Sequence, residues 1–342
     1  MIEPVRDARP SLPVAPAGDP RTAAEAVLFE IRRVIVGQDA MLERVLVALL
    51  SGGHLLLEGV PGLAKTLTIR TLADALDASF RRIQFTPDLV PAGLVGTRIY
   101  RPSTGNFDTE LGPVFCNFLL ADEINRAPAK VQSALLEVMQ ERQVTIGRES
   151  HRVPSPFLVM ATQNPIESEG TYPLPEAQID RFMMKVVVGY PTAAEEATVV
   201  ERSLRPAPAV RAILDADSLA VLQAATPNIY VDPAITAYAV SIVGATRNPE
   251  LVGQGALKGY IAFGASPRGS INLVHAARAL ALLRGRRYVV PADIADLAPD
   301  VLRHRIVPSF SALAEEVTPD MILSRIIPVV PAPRLITEER TA

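Results

Sequence analysis

The sequence predicts an α/β domain built on a mainly parallel, five-stranded β-sheet between helices, followed by a small all-α domain. Between residues 21 and 190, short apolar runs alternate with longer segments of helical periodicity, as in parallel strands joined by helical crossovers. After Pro191 the apolar residues recur only at helical spacing. Two helix starts in this second part have a capping side chain before a proline, at Asp232-Pro233 and Ser266-Pro267.

The individual elements follow from the same patterns. The five predicted strands of the sheet are at 54–58, 80–84, 114–121, 157–162 and 185–189. The helices predicted between them span 23–33, 39–51, 65–76 and 130–141. In the second domain, helices are predicted at 234–247, 268–283 and 292–303.

Two further segments interrupt the alternation of strands and helices. Residues 87–112 contain a Pro-Ser-Thr-Gly-Asn turn between two candidate strands. Residues 143–154 have the pattern of a β-hairpin around Gly147. We expect both segments to be insertions in the α/β domain.

Domain boundaries are predicted from composition. Residues 1–20 are rich in proline and charge, lack the apolar stretch of a signal peptide, and are predicted to form a flexible tail. We expect an α/β domain over 21–190, a linker over 191–210, a helical domain over 211–327 and a C-terminal tail over 328–342. No apolar run approaches the roughly 18–20 residues that cross a membrane, so a cytoplasmic protein is expected.

Composition narrows the chemistry further. The single cysteine, Cys116, excludes an internal disulfide, and its apolar neighbours predict a small buried side chain. The four histidines lie far apart, so a structural metal site is not expected. Lys plus Arg (34) nearly balances Asp plus Glu (37), which argues against a protein that coats nucleic acid.

A glycine-containing loop between a predicted strand and a predicted helix has the chemistry of a phosphate-binding loop. Its backbone N–H groups and the dipole of the following helix favour phosphate, which predicts binding of ATP. Lys65 would reach the β- and γ-phosphates, and the Thr66 hydroxyl would ligate Mg²⁺. Ala64 replaces the usual glycine, which is tolerated if its φ is helical. The residues assigned to the nucleotide here are Gly59, Val60, Pro61, Gly62, Leu63, Ala64, Lys65, Thr66 and Leu67.

The third predicted strand, 114–121, is followed by two adjacent carboxylates, Asp122 and Glu123. The carboxyl ends of strands in an open α/β sheet are where ligands bind, so both side chains are predicted beside the glycine loop. Asp122 would hold Mg²⁺ through water, and Glu123 would polarise the water that attacks the phosphate. A solvent-facing acidic strand end is the alternative for such a pair alone, and the preceding glycine loop disfavours it.

Two more polar residues complete the predicted site. Asn164 follows the fourth apolar run and would orient the attacking water, although a simple Asn-Pro turn is the alternative. Arg181 precedes the fifth run, where an exposed arginine can stabilise the charge of a transferring phosphoryl group. Its alternative is a surface ion pair with Asp180 or Glu176.

Taken together, these segments resemble the AAA+ ATPases, and within them the MoxR family. The resemblance covers about residues 25–325 in order. The blocks that carry it are GVPGLAKT at 59–66, RIQFTPDLVP at 82–91, LLADEINRAPAKVQSALLEVMQE at 119–141, ATQNP at 161–165, LPEAQIDRF at 174–182 and GASPRGSINL at 264–273.

The resemblance implies further roles. The glycine loop is similar to a Walker A motif, Asp122 and Glu123 to a Walker B pair, and Asn164 to sensor 1. It implies that Val36, Gly37 and Gln38 pack the adenine. It identifies Arg181 with an arginine finger that acts on a neighbouring subunit, and Arg268 with sensor 2 acting in its own subunit or the next. The two insertions resemble a helix-2 insert and a pre-sensor-1 hairpin, and Asn125 and Arg126 fall at the subunit junction.

The same resemblance implies partners. A finger acting on a neighbour requires a homo-oligomer, in this family a hexameric ring. Members of the family are viewed as chaperones that mature or activate other protein complexes, often together with a protein containing a von Willebrand factor A domain.

Three functions are therefore open from the sequence. The leading hypothesis is an ATP-driven remodeller of proteins. A nucleic-acid motor is the second, and a nucleotide-gated scaffold with little hydrolysis is the third, although a scaffold would not need the complete catalytic set. The arginines that would support a motor, whose simpler interpretation is solvated helix ends, are Arg284, Arg286, Arg287, Arg303 and Arg305.

Overall fold

The structure is a computed structural model that describes residues 20–60, 62–103, 105–164, 171–206 and 208–334. Its α-helices are α1 Pro20–Val34, α2 Asp39–Leu50, α3 Lys65–Ala75, α4 Pro91–Val95, α5 Ala129–Glu141, α6 Glu176–Ile179, α7 Ala193–Ser203, α8 Ala216–Ala225, α9 Pro233–Arg247, α10 Pro267–Leu283, α11 Pro291–Leu302, α12 Phe310–Ala314 and α13 Pro319–Ile326. Its strands are β1 Leu55–Glu58, β2 Phe80–Gln84, β3 Gly96–Arg101, β4 Asn106–Leu111, β5 Phe118–Asp122, β6 Gln143–Ile146, β7 Glu149–Arg152, β8 Leu158–Gln163, β9 Met184–Val187, β10 Ile261–Phe263 and β11 Val307–Pro308.

The predicted five-stranded parallel sheet is confirmed. Its strand order is β2-β5-β8-β1-β9, and every neighbouring pair is parallel. The carboxyl ends of β1, β5 and β8 therefore meet at one edge in the middle of the sheet. The predicted insertions also form hairpins, β3–β4 and β6–β7, with α4 preceding the first of them.

Two predictions about secondary structure are wrong. The run predicted as a strand from residue 114 pairs with the sheet only from Phe118, because residues 114–117 form turns. Val114 and Cys116 are buried in the apolar core on one face of the sheet without belonging to a strand. Burial raises the pKa of the Cys116 thiol to about 12. The part after Pro191 is not all helical, because β10 and β11 form a short antiparallel pair.

Several boundaries differ from the composition-based ones. Helix α7 lies within the predicted linker 191–210, and α1 begins at Pro20, the last residue of the predicted tail. Residues 1–19 of that tail, and residues 335–342 of the C-terminal tail, lie outside the described part of the chain. The helical domain holds α12 and α13 in addition to the helices predicted for it.

The sheet separates two apolar cores. On one face, residues of α5 pack with the strands and with the hairpin β6–β7. On the other face, α1, α2 and α3 pack with the strands and with the helical domain, through α9, α10, α11 and α13, in one continuous cluster. Alternate residues of β1 serve the two cores, with Leu55 and Leu57 on one side and Leu56 on the other.

Charged side chains reinforce the contact between α2 and the helical domain. Arg44, whose side chain is 7% exposed, bonds Asp296 Oδ1 and Asp300 Oδ2 at 2.8 Å each. Arg284 bonds Asp296 as well, at 2.8 Å. Removing one partner from such a buried network is strongly unfavourable because it leaves an uncompensated charge. The helical domain is thus held against the sheet by both apolar packing and ion pairs.

No helix within the described ranges is long and apolar enough to cross a membrane.

His54 gives the fold a defined dependence on pH. The Val159 N–H donates to Nδ1 at 3.0 Å, so Nε2 carries the proton and donates to the Met139 carbonyl at 3.1 Å. Burial, and secondarily Arg142, lowers the pKa of His54 from 6.5 to about 3. Below pH 6.5 the unfolded chain therefore binds a proton that the folded chain does not.

We expect the stabilisation from neutral His54 to be complete above pH 6.5 and to be lost as the pH falls toward 3. By about pH 5 the loss is about 2 kcal/mol. His54→Gln keeps an amide donor but does not titrate, so its unfolding free energy should fall less between about pH 7 and pH 5. Urea unfolding at both pH values tests this, and equal losses in the two proteins would contradict it.

Candidate functional site

A cavity of about 440 Å³ opens at the carboxyl edge of β1, β5 and β8. It brings together ten of the residues predicted to bind ATP and Mg²⁺ or to act on them: Gly59, Gly62, Leu63, Ala64, Lys65, Thr66, Leu67, Asp122, Glu123 and Asn164. Four residues that the sequence did not assign to the site also line it: Arg82, Gln84, Thr162 and Gln163. Pro61 lies outside the described residues.

The glycine loop joins β1 to α3. Gly59 leaves no room for a side chain, because a Cβ there would lie 2.6 Å from the Val188 carbonyl oxygen. Gly62 has a φ of 87°, a conformation that glycine adopts without a steric penalty. Ala64 caps α3 with a φ of 54°, so its methyl group is accommodated in the left-handed region and not at the right-handed helical φ on which its tolerance was expected to depend.

Lys65 is half-buried and its ammonium group donates to the Gly59 carbonyl at 2.5 Å. Burial lowers the pKa of Lys65, while Asp122, Glu123 and Glu58 act in the opposite direction. The lysine therefore lies across the loop with acidic groups around it. Phosphate oxygens entering the loop would supply further acceptors for it.

Asp122 ends β5 and is held by two side chains from the neighbouring strands. The Thr162 hydroxyl in β8 donates to Oδ1 at 2.5 Å. Arg82 in β2 donates to Oδ2 from Nη2 at 2.7 Å and from Nε at 3.1 Å. Oδ2 of Asp122 is thus occupied by the Arg82 guanidinium, so a cation at Asp122 would compete with Arg82 for this oxygen.

Glu123 has a φ of 56°, a left-handed conformation that non-glycine residues adopt at some energetic expense, often at functional sites. Its N–H donates to the Thr162 hydroxyl at 2.9 Å. Its carboxylate accepts from Gln84 Nε2 at 2.7 Å and lies 3.0 Å from Arg126 Nε. The carboxylate is therefore held in place by a neutral amide and a cation.

The residues present fit a Mg²⁺ ion that is shared with phosphate. Mg²⁺ is usually held by one or two carboxylates together with phosphate oxygens and water, not by a cage of protein ligands. Thr66 and Asp122 line the same cavity as Lys65 and would provide oxygen ligands. Within the described residues, no group of three or more His, Cys, Asp or Glu side chains could hold a metal ion.

The segment implied to pack the adenine lies beside the glycine loop and outside the cavity lining. Gly37 and Gln38 have φ values of 66° and 60°, and Gln38 Nε2 donates to the Gly189 carbonyl at 3.1 Å. A Cβ on Gly37 would meet the Glu195 carboxylate at 2.5 Å. The backbone of residues 36–38 is thereby fixed next to the end of β9, which pairs with β1.

The two arginines assigned to catalysis also lie outside the cavity lining. Arg181 follows α6 and is half-buried, not exposed as the sequence had suggested. Among the described residues it forms no ion pair with Asp180 or Glu176. Asp180 instead pairs with Arg305 at 2.8 Å and with Arg268 at 3.5 Å, so the predicted alternative for Arg181 is wrong.

The additional lining residues have a signal that sequence reasoning missed. Arg82, Gln84 and Thr162 stand at the carboxyl ends of β2 and β8, the strands on either side of β5. The register places Gln84 opposite Asp122. Polar residues at the carboxyl ends of the strands next to β5 would have indicated them, once the sheet order was known.

Comparisons with known proteins agree with this geometry. A family model described as "ATPase family associated with various cellular activities (AAA)" matches residues 54–184, and one for the AAA lid domain matches residues 256–326. The chain is 54% identical to "Chaperone MoxR1" of Mycobacterium tuberculosis, over 96% of this chain and 88% of that protein.

Two further relatives span nearly the whole chain. The chain is 33% identical to "Protein MoxR" of Methylorubrum extorquens, over 92% of this chain and 96% of that protein. A solved structure from Cytophaga hutchinsonii, described as an ATPase, superimposes with a TM-score of 0.87 at 47% identity. The superposition covers 92% of this chain and 96% of that one.

We expect Thr162→Val to lower the stability of the protein. The substitution keeps the shape of the side chain but removes the hydroxyl that joins Asp122 to the Glu123 N–H. Leaving Asp122 Oδ1 and the Glu123 N–H, which are partly buried, without this partner should lower the free energy of unfolding by about 1 kcal/mol. Thr162→Ser keeps the hydroxyl and serves as the control. Urea unfolding of both variants measures the effect, and equal stability of the valine variant and the wild type would contradict it.

Proposed function

The chain belongs to the MoxR family of AAA+ ATPases, and we propose that it hydrolyses Mg-ATP in a ring of identical subunits to mature or activate partner protein complexes. The observation that carries the proposal is the convergence of Lys65, Thr66, Asp122, Glu123 and Asn164 on one cavity. We propose that one chain supplies the groups that bind the phosphates and Mg²⁺ and that activate the attacking water.

Each residue has a distinct task in the proposed reaction. The loop N–H groups and Lys65 bind the phosphates, while Thr66 and Asp122 hold Mg²⁺, which neutralises charge on the β- and γ-phosphates when bound. Glu123 accepts a proton from the attacking water, and Asn164 orients that water. Gln84 and Arg126 set the position of the Glu123 carboxylate.

Arg181 and Arg268 are proposed to act on the nucleotide of the neighbouring subunit. Neither lines the cavity of its own chain, and both lie at Asp180, where α6 meets the helical domain. An arginine delivered from a neighbour stabilises charge in the transition state and contributes about 10³–10⁵ in rate. This division of the site supports a ring, and hexameric stoichiometry is part of the proposal.

The nucleic-acid motor finds little support in the structure. A motor of that kind needs unpaired cations along a groove. Arg284 and Arg286 instead bond Asp293 within the chain, and Arg303 bonds Asp300 at 2.5 Å. Arg305 is buried against Asp180. Of the arginines considered for this function, Arg287 is exposed and forms no ion pair among the described residues. A single arginine does not make a basic groove.

A scaffold with little hydrolysis is disfavoured by the geometry of Glu123. Glu123 has a left-handed backbone conformation of the kind often found at functional sites, and Gln84 and Arg126 hold its carboxylate in the cavity. The partner is proposed to be a client or co-chaperone protein, with a von Willebrand factor A domain as a candidate. A cytoplasmic location remains a prediction from the sequence.

We expect Glu123→Gln to bind ATP and to abolish its hydrolysis, because the amide cannot accept the proton of the attacking water. Lys65→Ala should instead lose ATP binding. Nucleotide binding and phosphate release, measured on both variants, separate the two effects. Hydrolysis at the wild-type rate by Glu123→Gln would sink the proposed mechanism, and the partner trapped by this variant in ATP would identify the client.

We expect Arg181→Ala subunits and Lys65→Ala subunits to be inactive alone and active when mixed. The first keeps an intact cavity and the second keeps an intact arginine, so functional sites form where they meet. ATP hydrolysis by the mixture, measured against each variant alone, tests whether the arginine acts between subunits. Absence of rescue in mixed rings would argue against it.

A further inference from the structure

Arg305 connects the helical domain to the segment that carries Arg181. Its side chain is 1% exposed and follows α11, yet its contacts lie mainly in residues 180–183, just before β9. Nε donates to Asp180 Oδ1 at 2.8 Å, and Nη2 donates to the carbonyls of Asp180 at 3.0 Å and Phe182 at 2.7 Å. Nη1 donates to the Met183 carbonyl at 3.2 Å and to the Val301 carbonyl.

All five N–H groups of the Arg305 guanidinium therefore have acceptors. Three of these acceptors are backbone carbonyls on either side of Arg181, at positions 180, 182 and 183. Backbone carbonyls do not rotate as side chains do, so the planar guanidinium fixes the path of this segment. The direction in which Arg181 leaves the backbone is fixed with it.

The Asp180 carboxylate provides the second half of the contact. Besides Arg305, it accepts from the Ser266 hydroxyl at 3.2 Å and lies 3.5 Å from Arg268 Nη1. Because its charge is engaged by two arginines of the helical domain, Asp180 does not neutralise the adjacent Arg181. The same carboxylate holds Arg268 close to the segment that carries Arg181.

A buried guanidinium of this kind is sensitive to the loss of a partner. Burial lowers the pKa of Arg305 to about 10, against 12.5 for an exposed arginine, and Asp180 acts in the opposite direction. Arg305 is therefore charged at neutral pH and needs its acceptors. Removing one of them leaves a buried charge less well compensated and shifts the backbone that supplies the others.

We propose that Arg305 and Asp180 form a clamp that positions Arg181 and Arg268 as one unit for the nucleotide of the neighbouring subunit. The clamp rests on the proposed function, in which these two arginines complete the next site. Arg305 and Asp180 are positioning residues, because neither lines a cavity that binds nucleotide. The clamp ties the orientation of both arginines to the helical domain.

Asp180→Asn tests the clamp with a side chain of the same shape. We expect kcat for ATP hydrolysis to fall by about tenfold or more with KM for ATP changed less than about twofold, because the cavity of the same chain is intact. Mixing Asp180→Asn subunits with Lys65→Ala subunits should restore hydrolysis, since the latter supply correctly held arginines. Arg305→Lys, which keeps the charge but not the five donors, should behave in the same way.

Asp300→Asn is the matched control. Asp300 is also bonded by two arginines, Arg44 and Arg303, and its side chain is 15% exposed against 20% for Asp180. It belongs to the contact between α2 and the helical domain, and its ion pairs are with Arg44 and Arg303, not with residues 180–183. The control should lose thermal stability and keep the wild-type kcat and KM.

The outcomes separate the clamp from the proposed function. Wild-type kcat in Asp180→Asn, with Arg181→Ala inactive, would overturn the clamp and leave the proposed function standing. Full activity of Arg181→Ala would overturn the intersubunit finger, and the clamp with it. If both Asp180→Asn and Arg305→Lys fail to fold while Asp300→Asn folds, the contact is structural and the positioning role is overturned.

Discussion

The register of β5 against β8 is the constraint on which the nucleotide site depends. Ala121 pairs with Ala161, which brings Thr162 beside Asp122 so that one hydroxyl can bond both Asp122 and the Glu123 backbone. A slip of one residue would turn Thr162 to the opposite face of the sheet. The register is held by the residues of both strands that precede these polar groups, which are all buried, some in each of the two cores. The chemistry at the edge is therefore positioned by apolar packing behind it.

A second feature of the molecule is that its arginines are largely committed to contacts within the chain. Arg44, Arg284 and Arg305 join the sheet domain to the helical domain through carboxylates from both. Arg82 and Arg126 are likewise paired within the chain at the nucleotide site, with Asp122 and Glu123 respectively. Of the arginines considered for a nucleic-acid motor, Arg284, Arg286, Arg303 and Arg305 each pair with a carboxylate of the same chain.

Much of the fold and the core of the site followed from the sequence, because the glycine loop and the acidic strand end are local signals. What was missed depends on tertiary placement. Arg82 and Gln84 matter only because β2 lies next to β5, and the order of strands in the sheet cannot be read from their order in the chain. Cys116 is buried but does not belong to a strand, and the pattern of apolar residues does not distinguish this case from a buried strand. The contact of Arg305 with Asp180 joins residues 125 positions apart in the chain, so no local sequence pattern predicts it.

The apolar cluster that runs from the sheet into α9, α10, α11 and α13 has a mechanical consequence. A hinge between the two parts of one chain would have to open this cluster to water, and buried apolar area resists that at roughly 25 cal/mol per Å². Each subunit is therefore expected to move as a nearly rigid lever. In the proposed ring of such subunits, the movement that follows the proposed hydrolysis would be a change in the angle between neighbours, and force on a partner would arise at the interfaces between subunits.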